Sequence, residues 1–420
     1  MRTARRVTAL TLTAAMAAGL LSGCGGTTAG TDGKTQITLA SWGSTPDETQ
    51  LLKQVLQDFE HAHPDIKVKH EVIAEQYMDV MKTRLIGGKG PDVFYLDAIE
   101  APGLMETGVL EPLDSYVTQE FDTGDFEKPM LEAFRWEGRT YGFPKGYSTL
   151  ALIYNKKMLQ EAGVAVPQTW EELRAASKKL TNSAAGDTVY GFGQNPELAR
   201  TYYIGQSLGG QVVKDGRANF TDPAVLQGLQ LYVDQHLIDK TAAQPSDVGA
   251  GWTGEMLGQG KAAMVIEGNW AIPFLRSTFP DIDFGTAEVP TINGKKGTMA
   301  FTVGYVINAA SKEKQASWKL ISYLTGRKGM TDWTSKGFEL PTRKSVAKAL
   351  GYDKDTLLGP LVAGAPYATV WAEGPTLPTI FNNFNNQFVS AYIGQRPLKE
   401  AMQDAQEQAN EEIEFQLFDE

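Results

Sequence analysis

The sequence predicts an α/β fold in which helices alternate with the strands of a mostly parallel sheet. Strand-like and helical hydrophobic patterns follow one another along the first part of the body. Helix-start signals stand between them, where Thr45 and Thr169 each precede a glutamate by three residues, as in a capping box. The chain of 420 residues is also too long for a single core, so two domains are expected.

The first elements follow from residue spacing. Alternation of polar and apolar residues predicts a strand at 36–41. The helix after Thr45 carries apolar residues at helical spacing as far as Phe59, and Pro64 ends it. The next elements are a strand at 66–73, a helix at 77–86 and a short apolar strand at 92–96.

The remaining chain continues this alternation. A hairpin is predicted to turn at Glu137-Gly138. Asp222 is expected to cap a helix over 223–237. Further strands are predicted at 151–155, 262–266 and 303–309, and further helices after Thr169, at 318–324, at 377–393 and from 399 onward.

The N-terminus has the features of an export signal. Arg2, Arg5 and Arg6 precede an apolar stretch that is too short to be a stable spanning helix. Cys24, the single cysteine, follows this stretch directly, as in a bacterial lipoprotein signal. We therefore expect a signal peptide at 1–23, lipidation at Cys24 and a flexible tether at 24–35. The Arg5-Arg6 pair leaves the export route open between the general and twin-arginine systems.

Composition and motifs argue against several functions. The formal charge of −11 does not favour nucleic acid or anionic lipid as a partner. The sequence has no nucleophile elbow, phosphate-binding loop, dinucleotide fingerprint or zinc helix, so neither cofactor nor metal is predicted. His61 and His63 are interpreted as a solvated helix end. Carboxylates are abundant, so a glycosidase-type acid pair stays open.

Aromatic residues beside turns suggest a binding cleft. Flat rings stack on the C–H faces of sugars, and nearby polar groups bond the hydroxyls. Asp97 and Trp270 are the best candidates, because each follows a strand at its carboxyl end. Trp170, Trp318 and Trp333 are assigned to helix packing. The other aromatic candidates are Trp42, Tyr77, Tyr147, Tyr202, Trp252, Tyr305 and Trp371.

Several segments together resemble the extracellular solute-binding proteins of sugar ABC importers, the group that includes maltose-binding protein. The segments occur in the family's order and cover nearly the whole chain after the signal. They are Gly90-Pro91-Asp92-Val93-Phe94 with Asp97, Tyr141-Gly142-Phe143-Pro144, Leu152-Ile153-Tyr154-Asn155-Lys156, Val166-Pro167-Gln168-Thr169-Trp170-Glu171-Glu172-Leu173, Lys261-Ala262-Ala263-Met264, Gly268-Asn269-Trp270 and Leu340-Pro341-Thr342-Arg343.

The resemblance implies two discontinuous α/β lobes joined by a hinge and closing on a ligand, as in type II periplasmic binding proteins. One lobe is expected at 36–147 plus 299–345, and the other at 148–298 plus 346–420. By matching motifs, Asp97 corresponds to an acid that bonds sugar hydroxyls, although Glu100 is an alternative. Trp270 corresponds to a stacking tryptophan. Further ligand contacts are implied or expected at Trp42, Ser44, Glu48, Arg200, Tyr202, Asn269, Gly304 and Phe384.

Three functions are weighed at this point. The first is a monomeric, lipid-anchored binding protein, without catalysis, that delivers an oligosaccharide, such as an α-glucoside, to an ABC permease. The second is the same scaffold holding glycerol phosphate or a polyol, with Arg200 and Arg343 as candidates for a phosphate. The third is a secreted glycoside-active enzyme, for which the sequence favours no particular pair of acids.

Overall fold

A computed structural model describes residues 33–183 and 188–418, with side chains as far as residue 415. The expected signal peptide, Cys24 and most of the expected tether lie outside these residues. Within the described ranges, no helix combines the length and apolar character needed to cross a membrane.

Of the strands among the described residues, five have seven residues or more and the rest have five or fewer. The strands are β1 Thr35–Trp42, β2 Ile66–Ile73, β3 Val93–Asp97, β4 Arg135–Trp136, β5 Arg139–Thr140, β6 Gly142–Asn155, β7 Tyr190–Gly193, β8 Val213–Lys214, β9 Arg217–Ala218, β10 Ala242–Ala243, β11 Ala262–Gly268, β12 Phe284–Ala287, β13 Met299–Ile307 and β14 Thr369–Val370.

The α-helices alternate with these strands along the chain. They are α1 Pro46–Ala62, α2 Tyr77–Ile86, α3 Ala101–Glu106, α4 Lys128–Glu132, α5 Lys156–Glu161, α6 Trp170–Leu180, α7 Leu198–Ser207, α8 Pro223–Leu237, α9 Thr253–Gly258, α10 Ala271–Thr278, α11 Lys314–Leu324, α12 Arg327–Thr334, α13 Lys344–Ala349, α14 Gly359–Gly364, α15 Leu377–Tyr392 and α16 Leu398–Phe418.

The sheet is mixed at its centre, which corrects the expectation of a mostly parallel arrangement. The strands are ordered β10-β7-β11-β6-β13-β3-β1-β2. The outer pairs of β1 with β2 and β3, and of β7 with β10 and β11, are parallel. However, β13 runs antiparallel to β3 and β6, and β11 runs antiparallel to β6. Hydrophobic spacing cannot distinguish these directions, because both kinds of buried strand are apolar.

Strand β6 belongs to both halves of the sheet. Its first half, 142–149, pairs with β13, whereas its second half, 150–155, pairs with β11 and β12. The sequence predicted a strand only at 151–155. The earlier residues include Pro144, Lys145 and Gly146, which are poor strand formers, but pairing on both sides overrides that preference.

The predicted helix starts form, although each capping box is only partly made. The Thr45 hydroxyl accepts from the Glu48 N–H at 3.3 Å, and Thr169 accepts from the Glu172 N–H at 3.2 Å. The Glu172 carboxylate bonds the Gln168 N–H instead of its capping threonine. The Glu48 carboxylate lies near other charged groups, described below.

Two large hydrophobic cores lie on either side of the middle of the sheet. The first includes Leu39, Phe143 and Tyr305, and the second includes Leu152, Phe192 and Phe388. A smaller third core packs beside them around Tyr147, Ile153 and Leu361. The shared strand β6 contributes residues to all three.

Candidate functional site

One face of strand β13 connects two clusters of aromatic and charged side chains. Phe301, Val303 and Tyr305 alternate along the strand, so their side chains point to the same side, which we call the β13 face. At one end, the Phe301 ring centroid lies 5.9 Å from that of Trp270. At the other end, Tyr305 lies 5.3 Å from Tyr95.

The first cluster surrounds Trp42 at the end of β1. Its indole meets the rings of Tyr77 and Tyr95 edge-on, at centroid distances of 5.3 and 5.2 Å. The Tyr77 hydroxyl lies 3.2 Å from the Ala40 carbonyl and 3.0 Å from the Tyr95 carbonyl, so Tyr77 ties β1 to β3. Trp42 stays partly exposed whereas Tyr77 is buried. Tyr77 therefore supports the indole from behind. The neighbouring Ser44 is exposed on the loop.

A buried lysine lies against this cluster. The register of β6 against β13 shifts at Lys145, which is left unpaired in a β-bulge. Its side chain is 2% exposed, and its Nζ lies 2.6 Å from Glu339 Oε1. The same ammonium lies 4.9 Å from the Tyr95 ring centroid and 4.3 Å from that of Trp333. Charge pairing and two aromatic faces together compensate for the loss of water around Lys145.

Trp333 belongs to this cluster, although its helical setting predicted packing alone. It lies near the end of α12, and its Nε1 donates to Glu339 Oε2 at 2.7 Å. Gly146 lets Glu339 approach, because a Cβ at that position would overlap the carboxylate. Glu339 thus holds Lys145 and Trp333 together.

Two further carboxylates lie at the first cluster. Burial raises the pKa of Glu48 above its ordinary value; Lys145 opposes this rise and Glu339 adds to it. Burial also raises the pKa of Asp97 to about 6, against the opposing hydrogen bond from the Ile99 N–H. Asp97 pairs with Val303 across the sheet, next to the β13 face.

Glu100, the alternative acid, is already engaged by a cation. Its carboxylate lies 2.8 Å from Lys82 Nζ. It also belongs to the turn that precedes α3, beyond the end of the strand. Asp97 is therefore the acid that continues the register of Tyr95 along β3.

The second cluster is built around Glu267, at the end of β11. Its side chain is 2% exposed. One carboxylate oxygen accepts from Arg200 Nη2 at 3.1 Å and from Trp270 Nε1 at 3.0 Å, and the other accepts from the Thr253 hydroxyl. A single buried carboxylate therefore contacts two of the residues predicted to bind ligand.

Arg200 lies between carboxylates and rings. Its Nη1 is 3.2 Å from Glu197, and its guanidinium lies 5.6 Å from the Trp270 ring centroid and 5.8 Å from that of Phe301. Burial acts to lower the pKa of Arg200, but Glu267 and Glu197 outweigh it and raise that pKa. Arg200 Nε is buried without a hydrogen-bond partner within the described residues.

Asn269 connects the second cluster to the first. Its Oδ1 accepts from the Ser148 hydroxyl, and its Nδ2 donates to the carbonyls of Gly337 at 3.3 Å and Phe338 at 2.8 Å. The next residue along the chain is Glu339. The side chain of Asn269 is wholly buried by these contacts, so in this structure it offers nothing to a ligand.

The structure does not bring Tyr147 and Gly304 to the β13 face. Tyr147 alternates with Ser148 and lies in the third core, between Met130 and Leu340. Gly304 is buried, and a Cβ there would meet the ring of Phe134. Both residues lie one residue out of phase with this face, so their side chains point to the other side of the sheet.

Tyr202 and Trp371 lie together inside the second core. Their ring centroids are 5.8 Å apart, and each side chain is almost fully buried. Glu373 lies beside the Tyr202 hydroxyl, and burial raises the pKa of that carboxyl. Trp371 donates its backbone N–H to Ala300, next to Phe301. The pair backs the β13 face without being exposed on it.

Phe384 and Trp252 take part in packing. Phe384 has no exposed surface and stacks on Phe388 at 4.7 Å within the second core. Trp252 packs against Phe274 at 4.8 Å, and its ring covers Gly254. Phe384 presents no surface to a ligand in this structure.

Arg343, a candidate for phosphate binding, is already engaged by other groups. Arg343 is 1% exposed and donates to the carbonyls of Thr325, Asp122 and Phe121. Its guanidinium also faces Asp125 at 3.4 Å. Among the described residues, no group of three or more histidine, cysteine or acidic side chains is placed to hold a metal ion.

Sequence reasoning missed Lys145, Glu339, Glu267 and Phe301. Glu267 could have been found, because it precedes Trp270 by three residues at the end of a predicted strand. No local signal identifies Lys145 or Glu339, since they are 194 residues apart and meet only through the sheet.

Known proteins resemble this chain over most of its length. Residues 42–331 match the family described as bacterial extracellular solute-binding protein. A putative binding protein of Brucella abortus is 27% identical over 388 residues, or 90% of this chain and 93% of the relative. The diacetylchitobiose binding protein of Streptomyces coelicolor is 28% identical over 313 residues, or 70% and 72% of the two chains.

A solved structure has the same fold. The ABC substrate-binding protein from Listeria monocytogenes, in complex with cycloalternan, superposes with a TM-score of 0.80 at 24% identity, over 90% of this chain and 99% of that chain. The predicted fold, that of type II periplasmic binding proteins, is confirmed. The chain therefore belongs to the bacterial extracellular solute-binding protein family, whose members are binding proteins that act outside the cytoplasm.

Proposed function

We propose that this chain captures a carbohydrate on the β13 face and delivers it to the permease of an ABC importer. The observation that carries the proposal is the alternation of ring faces with fixed polar groups along one surface. Trp42, backed by the buried rings of Tyr95 and Tyr305, stands at one end and Trp270 and Phe301 at the other, with Asp97 between them. Because one strand joins the two clusters, a ligand of several sugar rings fits better than a single ring.

The charges near this face argue against a phosphorylated ligand. Arg200 is matched by two carboxylates, and Lys145 by one. Glu48 and Asp97 add negative charge at the same surface. A phosphate would need an uncompensated cation or a helix N-terminus, so glycerol phosphate is not favoured.

We also propose that the chain forms two lobes, 36–147 plus 299–345 and 148–298 plus 346–420. Ligand contacts with both lobes would favour a closed state that the permease recognises. The protein would act as a monomer, anchored to the outer face of the cell membrane through lipid on Cys24. It would act without catalysis, so chromogenic glycosides should not be hydrolysed.

Isothermal titration of the purified protein against oligosaccharides, polyols and sugar phosphates tests this proposal. We expect one oligosaccharide class to bind, and Trp270→Ala to weaken its binding at least about 30-fold, since a stacking ring and its desolvated contacts are lost. Trp136→Ala is the matched control, because Trp136 is also partly exposed but lies on the β4–β5 hairpin.

The outcomes separate the alternatives. Binding of phosphorylated compounds alone would support the second function. Equal losses in both variants would mean that Trp270 has no special role. Turnover of a glycoside, abolished by replacing one acid, would show an enzyme instead.

A further inference from the structure

The Glu267 carboxylate is shared by three donors from separate parts of the chain. Thr253 begins α9, Arg200 lies on α7, and Trp270 immediately precedes α10. Glu267 itself belongs to β11, where it pairs with Ala151 on the central strand β6. The sheet therefore holds this carboxylate in place, and the carboxylate orients the donors around it.

The bond to Trp270 determines how the indole is presented. Its Nε1 edge is turned inward to Glu267 at 3.0 Å, and the ring meets Phe301 at an interplanar angle of 63°. The ring of Trp270 also covers Gly268, where any Cβ would overlap it. The bond to Glu267 and the contact with Gly268 together hold the indole in a single orientation. Part of the indole surface stays accessible.

The two ion pairs of Arg200 do not use its Nε. Nη1 faces Glu197 and Nη2 faces Glu267, so both terminal nitrogens are engaged. Nε is buried and has no partner within the described residues. An unpaired buried donor is costly, and a hydroxyl oxygen of a bound ligand would satisfy it.

We propose that Glu267 is a positioning residue that orients Trp270 and Arg200 together, so that the indole stacks on the ligand while Arg200 Nε donates to it. This role rests on the proposed function, because these two residues matter to a ligand only if the β13 face binds one. It does not require Glu267 itself to touch the ligand.

The test compares the wild-type protein with Glu267→Gln, which keeps the size of the side chain but removes its charge. The indole N–H signals in a ¹H–¹⁵N NMR spectrum report the Trp270 bond without any ligand, and Trp270→Phe assigns the relevant signal. Titration with the oligosaccharide that the wild type binds reports the function. We expect the Trp270 signal to move and the affinity to fall about 10- to 100-fold.

Asp125→Asn is the matched control. Asp125 is a partly buried carboxylate that pairs with a buried arginine, Arg343, and belongs to neither cluster. The Asp125→Asn variant should have a lower melting temperature than the wild type, with the Trp270 signal and the affinity for the oligosaccharide unchanged. If Glu267→Gln does not fold, Trp270→Phe still tests the idea, because it keeps a smaller aromatic ring but loses the indole N–H that Glu267 accepts, and it should weaken binding at least about threefold.

Each result has one meaning. An unmoved Trp270 signal in Glu267→Gln, or unchanged affinity despite a moved signal, overturns the positioning role while the proposed function stands. The same holds for unchanged affinity in Trp270→Phe. If the wild type binds no carbohydrate although the signal moves, the proposed function fails and takes this role with it.

Discussion

Burial of the Asp97 carboxyl at the site lowers the stability of the folded protein at neutral pH. Its carboxyl ends β3 beside the β13 face, where burial raises its pKa to about 6 and only the Ile99 N–H opposes that rise by hydrogen bonding. In the unfolded chain the same group titrates near pH 4. The folded state therefore holds the proton more tightly, and stability falls as the pH rises from about 4 to about 6.

We expect Asp97→Asn to stabilise the protein at pH 7.5, by about 2 kcal/mol, since the neutral amide avoids the cost of a buried charge. The gain should fall to a few tenths of a kcal/mol (about 0.5 or less) near pH 4, where the folded carboxyl is protonated and the unfolded one is about half protonated. Urea unfolding at the two pH values measures the difference.

Asp283→Asn is the control for this prediction, because the Asp283 side chain is 70% exposed and pairs only with surface Lys156. It should change stability by less than about 0.5 kcal/mol at either pH. An Asp97→Asn effect of equal size at pH 4 and pH 7.5 would contradict the assignment of the raised pKa.

Site residues were predictable from the sequence where they lie at the end of a strand. They were not predictable where the pairing register determines which side of the sheet a residue faces. Trp42, Asp97 and Trp270 all follow or end strands, and the structure places all three at the two clusters. The sequence predicts Tyr147 as a contact because its ring lies beside a turn, whereas after the β-bulge at Lys145 it is Ser148 that pairs with Phe301 on the β13 face. A bulge depends on the partner strand, so local sequence cannot reveal it.

At the scale of elements, the β6 bulge depends on Gly146. We expect Gly146→Ala to destabilise the protein by about 1 to 3 kcal/mol, because its Cβ would displace Glu339 from Lys145. Thermal unfolding measures the loss.

Gly124→Ala serves as the comparison, since the nearest atom to its Cβ would be 3.6 Å away and no displacement is needed. It should change stability by no more than about 0.5 kcal/mol. Equal tolerance of both substitutions would mean that Glu339 can move without cost.

Most helices and strands were predictable from the spacing of hydrophobic residues. Whether neighbouring strands run parallel or antiparallel was not. The helix at 77–86 and the strand at 66–73 have the predicted bounds, and the Glu137-Gly138 hairpin forms between β4 and β5. For the long strand β6, the sequence predicted only the second half. Its strand conformation comes from neighbours more than 100 residues away, which no local propensity encodes.

For the whole molecule, Asn269 is one of the ties between the two proposed lobes. It joins the loop after β11 to the carbonyls of Gly337 and Phe338, beside Glu339. We expect Asn269→Ala to lower stability by about 2 kcal/mol and to enlarge the unliganded protein in small-angle X-ray scattering, because buried carbonyls lose their donor.

Asn410→Ala is the matched control, because Asn410 makes two comparable bonds to Ala218 within one core. It should lower stability without changing the scattering. Identical scattering curves for the wild type and both variants would show that Asn269 does not govern the arrangement of the lobes.

The chain passes between the two large cores three times, and this affects how it would withstand proteases. The crossings lie between Phe143 and Leu150, between Met299 and Tyr305, and between Val346 and Trp371. A single cut in one crossing leaves two covalent links, and the first half of β6 still pairs with β13. Proteins are not synthesised outside the cytoplasm, so a damaged copy there is not replaced at once. We therefore expect the two large cores to stay connected after a first proteolytic cleavage.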